Sequence, residues 1–327
     1  MSETAISNFI SKSTCHLKRR NVILASFFLA ILAVTYIGII FDSKITIKHY
    51  VDYLKFHPWT SAAAFRPSAD CDLSSSWDTV LNSDTLTGAQ VMQYFKWSNR
   101  QSCQLVQDFG GTMYKEPSGW DGQKSLCLDP EVAPVPGDCL VYSFGTNDEW
   151  SFDEQMSAYG CQVFAFDPSM MGEDHYDHNP GNVHFYKWGL GDRDRHDTDY
   201  NWEIRSLSSI YQTLAARHGR KIIDYLKIDI EGGEWDVITE MIASGMLSNV
   251  RQLGVEIHLV TNAPLEKYRD YAKLLRSMET MGMVRFDSEF NPWFMANFTR
   301  LPELGKQSQG YEIAWFNANL TRHPTGG

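Results

Sequence analysis

The chain has 327 residues and a formal net charge of −11, from 40 Asp and Glu against 29 Lys and Arg. Its 43% hydrophobic and 21% charged content excludes wholesale disorder, and an acid excess without a basic stripe argues against a nucleic-acid partner. Setting a membrane segment aside leaves about 250 residues, enough for one large α/β domain.

The first element is the uncharged run 22–41. At about 1.5 Å per residue it spans the roughly 30 Å hydrocarbon core. Lys18, Arg19 and Arg20 stand directly before it, which favours a cytoplasmic N-terminus. The run is longer than the apolar stretch of a signal peptide, and no small-x-small cleavage site follows. The expectation is therefore a cytoplasmic tail (1–21), an uncleaved anchor (22–41), a stem (42–70), a Cys-containing extension (71–138) and an α/β domain (139–327). The protein would be a single-pass membrane protein whose large part is lumenal or extracellular, in the Golgi or elsewhere in the secretory pathway. Two sequons, at Asn297 and Asn319, are then candidate glycosylation sites. Cys71, Cys103, Cys127, Cys139 and Cys161 would meet an oxidising compartment. Cys139 and Cys161 each open an apolar run, so a bridge between them is feasible if those runs are parallel neighbours; the alternative is a pair of buried thiols.

Within the extension, residues 87–96 suit a short helix. From Gly137 onward a regular alternation begins. Apolar runs over 139–144, 162–166, 183–187, 222–230 and 253–258 read as strands, with a late strand at 311–316. Segments 151–158, 207–217, 234–244 and 268–281 read as helices. Strands alternating with helices give a mostly parallel sheet, which binds ligands at the carboxyl ends of its strands. Gly145 follows the first run and Asp167 the second, 22 positions later, the spacing of a nucleoside site in which an acid accepts from ribose hydroxyls. Asp229 and Glu231 follow the fourth run, and strand alternation would put them on one face. Glu256 and His258 repeat that spacing on the fifth. If the two strands are neighbours, the four converge, to deprotonate a hydroxyl, to hold a divalent cation through Asp229, Glu231 and His258, or to form a hydrogen-bonded polar rim. The polar clusters 174–178 and 193–199 read as solvated loops.

The segment Tyr225-Leu-Lys-Ile-Asp-Ile-Glu-Gly-Gly-Glu-Trp235 resembles the signature of FkbM-type methyltransferases, with Lys227, Asp229, Glu231, Gly232 and Glu234 matching the motif. Gly145, Asp167, the loop Gly189-Leu190-Gly191-Asp192 and strand 255–258 stand in the order that family shows. With its anchor, the whole chain resembles the animal methyltransferase-like single-pass membrane proteins. The resemblance implies a Rossmann-like class I methyltransferase fold with helices on both faces of a mostly parallel sheet. It also implies S-adenosylmethionine as cofactor and O-methylation as activity. Cofactor would lie on Gly145, Asp167, Gly189, Leu190, Gly191 and Asp192. Asp229, Glu231, Glu256 and His258 would face a small-molecule or glycan acceptor. Two departures are visible: one glycine where strong cofactor loops carry Gly-x-Gly, and Ser208-Ser209 where that family has an aspartate. The alternatives are a metal-dependent Golgi glycosyltransferase using an Asp-x-Asp pair, and a non-catalytic binding module on the same fold.

Overall fold

The computed structural model describes residues 74–322 apart from 116–117 and 179–180. The expected tail, anchor, stem and Cys71 lie outside the described residues. Among the described residues no helix is long and apolar enough to cross a membrane.

Eight strands form one sheet: β1 (Cys139–Phe144), β2 (Cys161–Phe166), β3 (His175–His178), β4 (Val183–Tyr186), β5 (Ile223–Ile228), β6 (Val250–His258), β7 (Met283–Phe290) and β8 (Gly310–Asn317). Their order is β7-β8-β6-β5-β1-β2-β4-β3. The five central strands β6, β5, β1, β2 and β4 run parallel, while β8 is antiparallel to both neighbours and β3 is antiparallel to β4. This is the Rossmann-like α/β sheet expected above. β1 and β5 are buried at every position, as parallel strands covered on both faces must be. The order reverses between β1 and β5, which places the ligand crevice beyond their carboxyl ends.

The helices are α1 (Ser74–Leu81), α2 (Gly88–Lys96), α3 (Ser151–Tyr159), α4 (Leu207–Thr213), α5 (Ala215–His218), α6 (Glu234–Ala243) and α7 (Leu265–Thr280). On one face a single core joins Trp77, Tyr94 and Phe95 of the extension to Ile238 of α6, Leu275 of α7 and Leu226 of β5. On the other face Phe152 and Met156 of α3 pack with Val141, Val163 and Leu126. The short helix expected over 87–96 is α2, and a capping box opens it, Thr87 accepting from the Gln90 amide while the Gln90 side chain accepts from that of Thr87.

Several expectations are corrected. The helix over 207–217 is two helices, α4 and α5, broken at Leu214. The cluster at 174–178 is not all loop, since His175–His178 is the edge strand β3. In the cluster at 193–199, Arg195–Asp197 pairs with Trp202–Arg205. β7 was not anticipated; its register slips between Arg285 and Asp287, so the alternation that announces a strand is broken there. β5 ends at Ile228, so Asp229 and Glu231 lie beyond the strand.

Two disulfides tie the structure. Cys139 and Cys161 face each other in register on neighbouring parallel strands and are bridged. Cys103 and Cys127 form the second bridge.

Candidate functional site

A cavity of about 410 Å³ opens at the carboxyl ends of β1, β2 and β5. Gly145, Asp167, Gly189 and Leu190 line it on one side, Asp229, Glu231 and Glu256 on the other. Gly191 and Asp192 are not on its wall, and the Asp192 carboxylate pairs with Arg195 at 2.9 Å. His258 stands just behind the wall.

Gly145 has φ +82°, and a Cβ there would collide with the Asp229 carbonyl oxygen. The glycine therefore lets the ends of β1 and β5 meet, as well as baring backbone to the cavity. Its carbonyl accepts from Lys227 Nζ at 2.7 Å, which fixes the loop from beneath. Asp167 is buried and held from both sides. Its Oδ2 accepts from the Asn147 amide at 2.8 Å, and its Oδ1 from the Ser169 amide and hydroxyl at 2.8 and 2.6 Å. Beside it, Thr146 is buried on the cavity wall with its hydroxyl unpartnered. Gly189 and Gly191 are small for a different reason: a Cβ at either would strike Ile204 of the pairing strand. Trp188, Leu190 and Trp202 line this end, and Arg205 lies 4.2 Å over the Trp188 ring.

The opposite end carries the acids. β5 and β6 are parallel neighbours, so the four residues singled out by position do converge. The reason for Glu231 differs from the expectation. It sits in a turn at φ +56°, a conformation uncommon for a residue with a side chain. That turn is clamped by Glu234, whose carboxylate accepts from the Ile230 amide at 3.1 Å and the Gly232 amide at 3.0 Å. Glu234 Oε1 also meets His258 Nδ1 at 3.2 Å. His258 Nε2 makes no hydrogen bond; it stands 3.6 Å from Glu231 Oε2 and 3.9 Å from Glu256 Oε1.

Three residues not foreseen complete the cluster. Glu312 of β8 lies opposite Glu256 across the ladder. Lys124, wholly buried on the strand Lys124–Cys127 of the extension, places Nζ 2.7 Å from Glu312 and 3.4 Å from Asp229. Asn291 donates to Glu256 at 2.7 Å. Glu312 alternates with buried residues of a late strand and was legible in principle; Lys124 carries no local signal.

The charges follow from these contacts. Burial, then Glu312 and Asp229, push the Glu256 carboxyl up to about 10 against the opposing pull of Lys124, so it is protonated at neutral pH. Burial works to raise Asp229 as well, but Lys124, Lys227 and a hydrogen bond from Glu256 hold it below the usual carboxylate range. Burial works against the charge of Lys124, yet Glu312, Asp229 and Glu256 keep its ammonium well above the ordinary value. Burial likewise opposes His258, while Glu234, Glu231 and Asp229 raise it overall. Desolvation, Asp229 and Glu234 raise Glu231, with His258 pulling it back.

Asp229, Glu231 and His258 can each offer a ligand atom within 4.8 Å of the others, as can Asp229, Glu256 and Glu312. In the second set the Lys124 ammonium already supplies the compensating positive charge.

Residues 86–301 match the model of the methyltransferase domain family. Two curated relatives are called probable methyltransferase-like protein 24. The Homo sapiens protein is 25% identical over 204 residues, covering 59% of this chain and 55% of the relative. The Rattus norvegicus protein is 26% identical over 186 residues, covering 55% and 50%. The chain thus spans about half the length of the curated relatives it matches. A solved 16S rRNA (adenine(1408)-N(1))-methyltransferase from Catenulisporales acidiphilia superposes with a TM-score of 0.30 at 14% identity, over 66% of this chain and all of that one. That likeness is too distant to bear on chemistry.

Proposed function

The chain belongs to the methyltransferase domain family, and on that footing we propose that it moves a methyl group from S-adenosylmethionine to a hydroxyl acceptor, a glycan hydroxyl being the favoured class. The observation that carries this reading is the division of one cavity into a nucleoside-fitting end and an acid-base end. Bound there, S-adenosylmethionine supplies an electrophilic methyl group.

The chain's own groups fit that cofactor. Asp167 is held rigidly by three donors and keeps lone pairs for ribose hydroxyls. The orphaned Thr146 hydroxyl calls for a partner, since a buried donor without one costs about 1–3 kcal/mol. Trp188, Leu190 and Trp202 offer apolar surface for the base. Across the cavity, Asp229 stays ionised and orients the acceptor hydroxyl. Glu231, exposed at the mouth and raised in pKa, takes the hydroxyl proton as general base. His258, pinned by Glu234, positions Glu231 and steadies its charge. Glu256 stays protonated and donates to Asp229. With Lys124 neutralising the cluster, no divalent cation is invoked.

The two disulfides support an oxidising compartment. Together with the run 22–41 they support a protein anchored by its N-terminus, with the domain lumenal or extracellular.

The test is calorimetric titration of S-adenosylmethionine into the wild type and Asp167→Ala. Binding that the substitution weakens at least about tenfold is expected, the equivalent of one lost hydrogen bond to a charged group. A folded protein without affinity for the cofactor would overturn the reading in favour of a non-catalytic module.

A further inference from the structure

Lys227 Nζ reaches two carbonyls at the end of β1, Gly145 at 2.7 Å and Phe144 at 3.5 Å. Across a trans peptide the carbonyl and the following amide point in opposite directions. With the Gly145 carbonyl drawn down to Lys227, the Thr146 amide turns the other way, toward the cavity that both residues line. Among the described residues that amide donates to no group. Lys227 therefore aims a main-chain donor into the ligand space as well as bracing the loop.

Asp153 stands under the same loop. It lies in the first turn of α3 and, with Phe152 and Met156, on the buried face of that helix. It is fully buried, as is Ser143, which lies directly opposite Lys227 on the ladder between β1 and β5. Both Asp153 carboxylate oxygens and the Ser143 hydroxyl are buried without a hydrogen-bond partner. Burial pushes the Asp153 carboxyl up to about 6; Lys227 and then Ser143 pull it back, Glu149 of the preceding loop raises it and His178 of β3 lowers it. Lys227 is thus the foremost charge acting on Asp153. An acid in the first turn of a helix also steadies the helix dipole, but the half-exposed Glu154 already does that without burial. A carboxylate held in the interior without hydrogen bonds is costly unless a cation compensates it.

We propose that Asp153 is the counter-charge of Lys227, and that the two are positioning residues which hold the Gly145–Thr146 peptide with its amide offered to S-adenosylmethionine. Ser143 completes the set by turning its hydroxyl to the Asp153 carboxylate. Protonation of Asp153 then leaves Lys227 without its counter-charge, frees the peptide to turn and lowers cofactor affinity. This rests on the cofactor reading above and adds the device that shapes the cofactor loop.

The experiment uses the full-length chain in detergent. Calorimetry gives S-adenosylmethionine affinity from about pH 5 to about pH 8 for the wild type, Asp153→Asn, Lys227→Met and the double variant, each checked for folding by urea unfolding. At the upper end of that range each single substitution should weaken binding about tenfold or more. The double variant should bind no more weakly than Lys227→Met alone, because Asp153 acts through Lys227. Wild-type affinity should fall as pH drops through about 6, and Asp153→Asn should lose that fall. Without cofactor, NMR of isotope-labelled threonine follows the Thr146 amide, which should titrate with a midpoint of about 6 in the wild type and stay fixed in Asp153→Asn. Additive losses in the double variant, an Asp153→Asn protein that binds as the wild type does, or a Thr146 amide indifferent to pH would each overturn the proposal with the cofactor site intact. A wild type without affinity for the cofactor would strike the underlying reading instead, and the amide titration would still decide whether the charge pair sets the loop.

Discussion

Glu234 and His258 are joined by one contact, Oε1 to Nδ1 at 3.2 Å, and that contact turns the other ring nitrogen toward Glu231, 3.6 Å away. A wholly buried carboxylate thus sets the orientation of an imidazole, and the imidazole sets the basicity of an exposed carboxylate.

This chain of influence fixes the sign of the pH dependence. The rate should rise as Glu231 ionises above the ordinary glutamate range and fall as His258 loses its proton above the ordinary histidine range. Because His258 pulls the Glu231 pKa down, His258→Gln should move the acid limb to higher pH and remove the alkaline limb. Glu231→Gln should lower kcat by about 10²–10⁴-fold. Rate-pH profiles of the three proteins decide it; an unmoved acid limb in His258→Gln would exclude the positioning role.

Glu256 makes a separate prediction about stability. Its folded-state pKa, about 10, lies above its unfolded value, so the folded form prefers the proton. The wild type therefore loses stability as pH climbs from the ordinary glutamate range toward 10. Glu256→Gln carries no such proton. Its stability relative to wild type should grow across that window, by at most about 1.4 kcal/mol per pH unit. Urea unfolding at pH 5, 7 and about 9 measures the gap, and a constant difference would refute the protonated assignment.

Lys124 should behave as the keystone of the acids. Lys124→Met leaves Asp229 and Glu312 buried without their cation and should destabilise by about 3–5 kcal/mol. Adding Glu312→Gln should restore part of that loss, and a double-mutant cycle by chemical denaturation reads the coupling.

The Cys139–Cys161 bridge lies at the amino ends of β1 and β2, away from the cavity at their carboxyl ends. Replacing both with serine should cost about 2–4 kcal/mol in unfolding free energy yet leave S-adenosylmethionine affinity unchanged. Calorimetry and thermal melts of the same preparation separate the two effects.

The two sequons differ in what their side chains do. Both asparagines are exposed, but the Asn319 side chain donates to the Met281 carbonyl at 2.9 Å. Glycan should be found at Asn297 in preference to Asn319. Asn297→Gln should change electrophoretic mobility after secretory expression, and Asn319→Gln should lower the melting temperature without changing mobility.

The sheet was legible because its central strands are rich in apolar residues and β1, β2 and β5 are stopped by glycine or acid. The same punctuation exposed Gly145, Asp167 and Asp229, which stand where the chain leaves the sheet. Reading failed where the determining contact is distant. Lys124 meets Asp229 from 105 positions away, and no local pattern marks it. Glu231 was found for the wrong reason: strand alternation pointed to it, whereas a left-handed turn clamped by Glu234 puts it there. Gly189 and Gly191 looked like ligand glycines, and their smallness is spent on Ile204. β7 hid behind a bulge and a polar end.

Gly145 carries a consequence for genetics. Its φ of +82° disfavours side chains, and the obstacle a Cβ would meet is main chain, the Asp229 carbonyl, which no change of rotamer can move aside. Missense alleles at codon 145 should therefore be uniformly damaging, conservative and radical replacements alike, and none should be rescued by a second-site change in a neighbouring side chain.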